Sequence, residues 1–355
     1  MSIGTRSHAS GPVAGGAAEP AAHDRGKPLS PADLERADDI VSRLRRAYDE
    51  RLVGQAHLRT SLLVTMLAEG HILVESVPGL AKTTAVSTLA GVVNASFARI
   101  QCTPDLLPSD IVGTQVYDPS NGEFDTRLGP VHANFVLLDE VNRSSAKTQS
   151  ATLEAMQERQ TSIGGMVYPL PSPFMVMATQ NPIEEEGTYP LPQAQMDRFL
   201  LKEVIGYPTA AEELEVLERV DRGVLGTKAP AVQHVVELAD VEFLIDLATR
   251  VYVDDEVKRY AVALAQATRS AADLIDPTLA SYIELGSSPR GSIALQQASR
   301  ALALLHGRSY ATPDDVRSLC HVVFRHRVRL GFQAVADEVP VEAIIDAVVA
   351  AVPTP

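Results

Sequence analysis

The chain has 355 residues, 45% apolar and 21% charged, enough to bury one sizeable core and one smaller domain. Its net charge of −14 and pI near 5.1 give nucleic-acid phosphates little attraction. Cys102 and Cys320 lie far apart without ligand-spaced neighbours, which excludes a disulfide framework and a zinc site and makes both read as buried thiols. No charged-then-apolar leader pattern and no apolar run of membrane-spanning length occurs, so a cytoplasmic location is expected.

Residues 1–30, rich in Ala, Gly, Ser and Pro, are expected to form a disordered tail without chemistry. Ser30 then caps a helix from Pro31 to about Arg51, with Leu34, Ile40, Val41, Leu44 and Tyr48 near helical spacing. His71–Glu75 is a short β-prone run, Ser76–Thr83 a loop, and Thr83–Ala90 a helix-compatible run. The unusual segment Thr103–Gly113 follows, and Asn121-Gly122 between β-prone arms predicts a hairpin. Phe135–Leu138 is an apolar strand ending in Asp139-Glu140, Thr161–Leu170 a second hairpin, and Pro173–Thr179 a third apolar run ending in Gln180-Asn181-Pro182. After Gly206-Tyr207-Pro208-Thr209 the pattern turns helical, with segments at 210–220, 241–248, 254–269, 292–306 and 312–324. Their Ala-rich faces suit close helix packing. His321, Arg325, His326, Arg327 and Arg329 form a basic cluster, expected as a solvated or intersubunit face.

Strand, glycine-bearing loop and helix, in that order, make a phosphate cradle: backbone N–H groups and a helix N-terminus face phosphate oxygens. The loop departs from G-x-x-x-x-G-K-[ST], since Ser76 and Ala81 stand where glycines are usual. Ala81 is expected in right-handed backbone as the helix begins, Pro78-Gly79 supplying the bend, and the Cβ of Ser76 is expected to narrow the loop. Lys82 neutralises terminal phosphates and Thr83 offers its hydroxyl to Mg²⁺; an ordinary strand-to-helix connection is the alternative reading. Asp139 would hold Mg²⁺ mainly through its water shell and Glu140 would polarise the attacking water. No Asn-Lys-x-Asp guanine-reading run occurs, which favours ATP over GTP. Asn181 can position the water or touch the γ-phosphate, or be a plain turn former before Pro182.

These runs together resemble the MoxR family of AAA+ ATPases over nearly everything after the first thirty residues. Leu52-Val53-Gly54-Gln55 looks like the box beside adenine, which makes Val53 and Gly54 nucleotide contacts; Val77, Pro78, Gly79, Leu80, Ala81, Lys82 and Thr83, with Thr84 behind them, are the family's phosphate loop; and Leu137–Arg143 is its Walker B form. Ala-Thr-Gln-Asn-Pro matches sensor 1. Gly187–Phe199 is similar to the segment carrying the arginine finger, which implies that role for Arg198; pairing with Asp197 or Glu185 is the alternative. Ser288-Pro289-Arg290-Gly291 resembles sensor 2, implicating Arg290. Arg143 is implied at the subunit boundary, or as a partner of Glu140 or Glu154.

The resemblance implies an α/β fold: an αβα P-loop sandwich with a parallel sheet over 31–206, carrying a helix-2 insert toward a pore or partner, then a smaller all-α lid over 207–355. It implies ATP and Mg²⁺ as cofactors, a homohexameric ring, and chaperone-like remodelling of client proteins. A partner with a von Willebrand factor A domain is implied in trans, because no Asp-x-Ser-x-Ser pattern occurs here. The rivals are a motor related to the minichromosome-maintenance helicases, against which the low basicity counts, and the ATPase subunit of a metal chelatase.

Overall fold

The computed structural model describes residues 27–77, 79–182, 189–226 and 230–355. Of the sequence expectations, the tail as far as residue 26, Pro78, Glu185 and Gly187-Thr188 lie outside the described residues. Helix α1 (Pro31–Asp49) starts on a capping box: Ser30 Oγ accepts from Asp33 N at 3.1 Å and Asp33 Oδ2 accepts from Ser30 N at 3.0 Å. Ala37, Ile40, Val41, Leu44 and Tyr48 are its buried stripe. Helix α2 (Ala56–Leu67) is buried on every side from Ser61 onward and reaches β1 (Ile72–Ser76), which feeds α3 (Lys82–Val92).

The chain continues through β2 (Phe97–Gln101), α4 (Pro108–Val112), a hairpin of β3 (Gly113–Asp118) and β4 (Glu123–Leu128), and β5 (Phe135–Asp139). Helix α5 (Ala146–Glu158) leads to the second hairpin, β6 (Gln160–Ile163) and β7 (Met166–Pro169), then β8 (Met175–Gln180), α6 (Gln193–Met196) and β9 (Leu201–Ile205). Strands β1, β2, β5, β8 and β9 form one five-stranded sheet in the order β2-β5-β8-β1-β9, every neighbouring pair parallel.

Alternation along the inner strands divides the core. Ile72, Val74, Phe135, Leu137, Met175 and Met177 face one apolar cluster with α1, α2 and α3; Leu73, Val136, Leu138, Val176 and Ala178 face a second with α5. The molecule is the expected αβα sandwich. Residues 207–355 supply α7 (Ala210–Asp221), α8 (Leu238–Arg250), α9 (Asp255–Ala267), α10 (Pro277–Ser281), α11 (Pro289–Leu305), α12 (Pro313–Phe324), α13 (Phe332–Ala336) and α14 (Val341–Ala351). A short antiparallel pair, β10 (Ile283–Leu285) and β11 (Arg329–Leu330), joins them. Leu244, Leu264 and Leu302 of this helical part lie in the same buried cluster as Leu62 and Leu89.

The centre of the basic cluster is buried, which corrects the reading of it as a solvated face; its ends, His321 and Arg329, reach the surface. Arg327 and His326 are each 3% exposed. His326 Nε2 lies 3.0 Å from Phe199 O, while Arg325 donates to Lys202 O at 2.9 Å and to Glu342 Oε1 at 2.7 Å. The reason is local. The end of α12 runs along residues 197–202 at the edge of the sheet, where main-chain carbonyls without a strand neighbour require donors. Among the cluster, Arg329 pairs with Glu284 on the surface and His321 with Asp346.

Candidate active site at the two ends of the sheet

Ser76 is the last residue of β1, buried and in register with Ile205, and its hydroxyl donates to Val77 O at 3.2 Å. Its Cβ therefore belongs to regular strand and does not narrow the bend, contrary to expectation. Gly79 has φ +86°, and a Cβ there would meet nothing within 4 Å; the position calls for glycine through its angle, not through crowding. Ala81 also departs from expectation: its φ of 53° and ψ of 26° are left-handed, a conformation that costs an L-residue about 1 kcal/mol. That turn starts α3 without a side-chain cap, so its first-turn N–H groups are available to an anion. Lys82 folds back, Nζ 3.4 Å from Ser76 O.

Two strand spacings away along the same edge, roughly 10 Å, β5 delivers its carboxylates. Asp139 Oδ1 accepts from Thr179 Oγ1 at 2.8 Å, and Thr179 Oγ1 accepts from Glu140 N at 2.8 Å, so one fully buried hydroxyl fixes both acids. Arg99 Nη2 donates to Asp139 Oδ2 at 2.6 Å and Gln101 Nε2 to Glu140 Oε2 at 2.9 Å, both from the neighbouring strand. Glu140 itself is left-handed, φ 57°, and Arg143 Nη1 donates to its Oε2 at 3.1 Å; Arg143 is partly exposed and pairs with Glu140, one of its two expected partners. Asn181 is buried one residue past the end of β8. Sequence reasoning missed Thr179, Arg99 and Gln101: Thr179 read as the close of an apolar strand, and the half-polar edge strand β2 gave no apolar run to find.

The donor set fits Mg²⁺. Thr83 and Asp139 offer hard oxygen ligands, and among the described residues no group of three His, Cys, Asp or Glu side chains could hold a metal by itself. A divalent ion here would rest on phosphate oxygens and one or two side chains, the manner in which Mg²⁺ is commonly bound.

Beside the loop lies a cavity of about 530 Å³, lined by Leu52, Val53, Leu80 and the apolar face of α7, Val216, Leu217 and Val220, with Gly79, Ala81 and Thr84 also lining it. Gly54, φ +68°, is not among its lining residues; a Cβ there would strike Glu212 Oε1 at 2.4 Å. No residue of α7 is buried. The α7 wall was missed in the sequence, where an amphipathic helix reads as packing; here its apolar face lines a slot suited to a flat heterocycle.

Arg198 and Arg290 lie elsewhere. Leu200 N donates to His71 O at 2.8 Å and Leu201 pairs with Ile72, so Arg198 sits at the amino ends of β1 and β9, whereas the phosphate loop leaves the carboxyl end of β1. Five strand residues separate the two ends, roughly 17 Å. Arg198 and Arg290 line one cavity of about 630 Å³ with Arg159, Glu69, Asp197 and Arg327, and no residue of the phosphate loop contributes. Asp197 is engaged by Arg327, so the alternative pairing with Arg198 does not hold for that carboxylate.

Phosphate loop and acids at strand carboxyl ends, with a helical lid behind them, define a AAA+ ATPase. Residues 71–201 match the family model described as ATPase family associated with various cellular activities (AAA), and residues 278–348 match that of the AAA lid domain. The chain is 47% identical over 322 residues to Chaperone MoxR1 of Mycobacterium tuberculosis, covering 91% of this chain and 82% of that one. It is 44% identical to YeaC of Bacillus subtilis, covering 86% and 91% respectively. The solved structure of a protein assigned as an ATPase from Cytophaga hutchinsonii superposes with a TM-score of 0.85 at 40% identity, covering 91% of this chain and 97% of that one. The chain belongs to the MoxR family of AAA+ ATPases and is an ATP hydrolase.

Proposed function

We propose that this ATPase fires between subunits of a closed ring, a homohexamer, and uses the stroke for chaperone-like remodelling of client proteins. Residues 31–206 are its motor core and 207–355 its lid. The observation that carries this reading is the division of charge across the sheet: Lys82, Asp139 and Glu140 at the carboxyl ends, Arg198 and Arg290 at the amino ends. An arginine side chain does not span roughly 17 Å, so the guanidinium that completes a site comes from the next subunit.

In each site Val53 and the α7 wall hold adenine with Gly54 behind them, and Val77, Pro78, Gly79, Leu80, Ala81, Lys82, Thr83 and Thr84 wrap the phosphates. Thr83, and Asp139 mainly through the water shell, would hold Mg²⁺, which when bound would supply charge neutralisation at the phosphates. Glu140 takes up the proton side of the attacking water and Asn181 orients it, with Arg143 steering Glu140 from the boundary. The hairpins carry exposed Tyr117, Phe124, Met166 and Val167, an apolar surface suited to a client or to a partner with a von Willebrand factor A domain. We place the reaction in the cytoplasm. The match to a Methanocaldococcus jannaschii magnesium-chelatase subunit homolog is weaker, 27% identity over 57% of this chain. The charge of −14 disfavours a nucleic-acid motor.

A mixing experiment tests the reading. Arg198→Ala and Lys82→Ala chains, each inactive alone, should recover ATPase activity when ring mixing is demonstrated by fluorescence transfer. Demonstrated mixing without recovered turnover would sink the trans assignment.

A further inference from the structure

Asp197 stands directly before Arg198, and its carboxylate belongs to the lid as much as to the core. Its Oδ1 accepts from Arg327 Nε at 2.9 Å and its Oδ2 accepts from Ser288 Oγ at 2.7 Å. The same Ser288 hydroxyl caps α11 by accepting from Arg290 N at 3.1 Å. One carboxylate and one hydroxyl thus link the residue beside Arg198 to the backbone of Arg290. Arg327 fixes the other side of the joint. Buried at 3% exposure, it donates through Nη1 to Leu200 O at 3.0 Å and Val323 O at 2.6 Å, and through Nη2 to Phe199 O at 2.6 Å. Burial lowers its pKa only to about 10, so it is charged at neutral pH.

A buried ion pair is a costly way to join two lobes, and an apolar contact of equal volume would serve stability as well. What the ion pair adds is direction, because a forked guanidinium and a carboxylate fix orientation where apolar side chains slide. We propose that Asp197, Ser288 and Arg327 form a positioning clamp that locks the Arg198 segment of the core to the Arg290 segment of the lid. The two guanidiniums then meet a neighbour's triphosphate as one rigid pair, and movement of that phosphate is passed to core and lid together. The clamp residues touch no substrate. This proposal rests on the trans reading of Arg198 and Arg290.

Ser288→Ala breaks the link and leaves the buried ion pair intact. In assembled full-length protein it should lower kcat by roughly 10-fold to 100-fold, the scale of a misplacement near 1 Å, with KM for ATP unchanged. Ser288→Thr keeps both hydroxyl roles and should restore kcat. Thr312→Ala removes a comparable helix cap from α12, away from the joint, and should match the stability loss of Ser288→Ala while keeping parent kcat. The clamp is overturned if Ser288→Ala stays within twofold of parent kcat while Arg198→Ala is inactive, or if Thr312→Ala loses as much turnover as Ser288→Ala. An active Arg198→Ala chain would overturn the trans reading itself.

Discussion

At the carboxyl ends of the sheet the main chain turns left-handed at Gly79, Ala81 and Glu140, with strain at the latter two, and Asp139 and Glu140 are steadied by a single buried hydroxyl and by side chains from β2. At the amino ends two residues, Glu69 and Arg159, are left-handed as well, but the rigidity there comes from a buried cation, Arg327, spending its N–H groups on Asp197 and three main-chain carbonyls. On the proposed reading the first end takes a nucleotide and releases it, and its acids are held by side chains from β2, β8 and the turn after β5. The second end has only to present charge at a fixed place, which favours an over-determined frame.

That contrast can be broken most sharply at Arg198. Truncation to Ala should suppress turnover by about 10³-fold, the low end for an arginine supplied by a partner, while equilibrium binding of a fluorescent ATP analogue stays at the parent value; Lys82→Ala should reverse the pattern and lose binding. Weakened nucleotide binding in Arg198→Ala would erase the division between the two ends.

The frame itself is tested by stability. Arg327→Met leaves Asp197 without its cation and should cost about 3–5 kcal/mol, read from the denaturant midpoint. A second change, Asp197→Leu, should return much of that stability and none of the activity. An unchanged midpoint in Arg327→Met would show that the joint is not rigid.

A smaller effect is expected at the opposite end from Thr179→Val, which keeps the shape and removes the hydroxyl between Asp139 and Glu140. Turnover should fall by roughly 10-fold to 100-fold through misalignment of the acids, Thr179→Ser should recover most of it, and stability should drop by about 1 kcal/mol. If Val is as active as Thr, the acids are held by β2 alone.

The mildest prediction is a pH dependence set at the amino ends, where His71 precedes β1 and His326 meets Phe199 O. Burial pushes His71 down to about 4 and His326 well below its ordinary value, so both are neutral in the folded chain while the unfolded chain takes up protons below about 6.5. The unfolded state therefore binds more protons as pH falls from 6.5 toward 4, and stability should decline across that window by about 1 kcal/mol per pH unit for each histidine. His71→Gln should show a shallower slope of unfolding midpoint against pH than the parent.

Much of the fold could be read from local pattern. The Ser30 and Thr312 capping boxes, the Asn121-Gly122 hairpin and the continuous apolar runs of β1, β5 and β8 are short-range signals, decided by residues a few positions apart. Strands β2 and β9 escaped because Phe97–Gln101 and Leu201–Ile205 mix polar and apolar residues with no clear period and take their identity from the neighbour they pair with. The loop and acids were equally legible, since Lys82, Thr83, Asp139 and Glu140 sit in contiguous motifs, but the left-handed turn at Ala81 was not: an alanine there signals nothing until the strand and helix it joins are placed.

By itself, then, the sequence placed a phosphate-loop pattern between a strand and a helix and a pair of acids at the end of an apolar strand, because those features are written in neighbours along the chain. Only the tertiary structure decided that Arg198 and Arg290 stand at the far end of the sheet from that loop, that α7 walls the cavity beside it, and that Arg327 is a buried joint instead of a surface charge. Each of these depends on contacts between residues scores of positions apart, such as Asp197 with Arg327 and Leu201 with Ile72. No local pattern encodes them, for they follow from strand order and from which carbonyls the packed edge leaves in need of a donor.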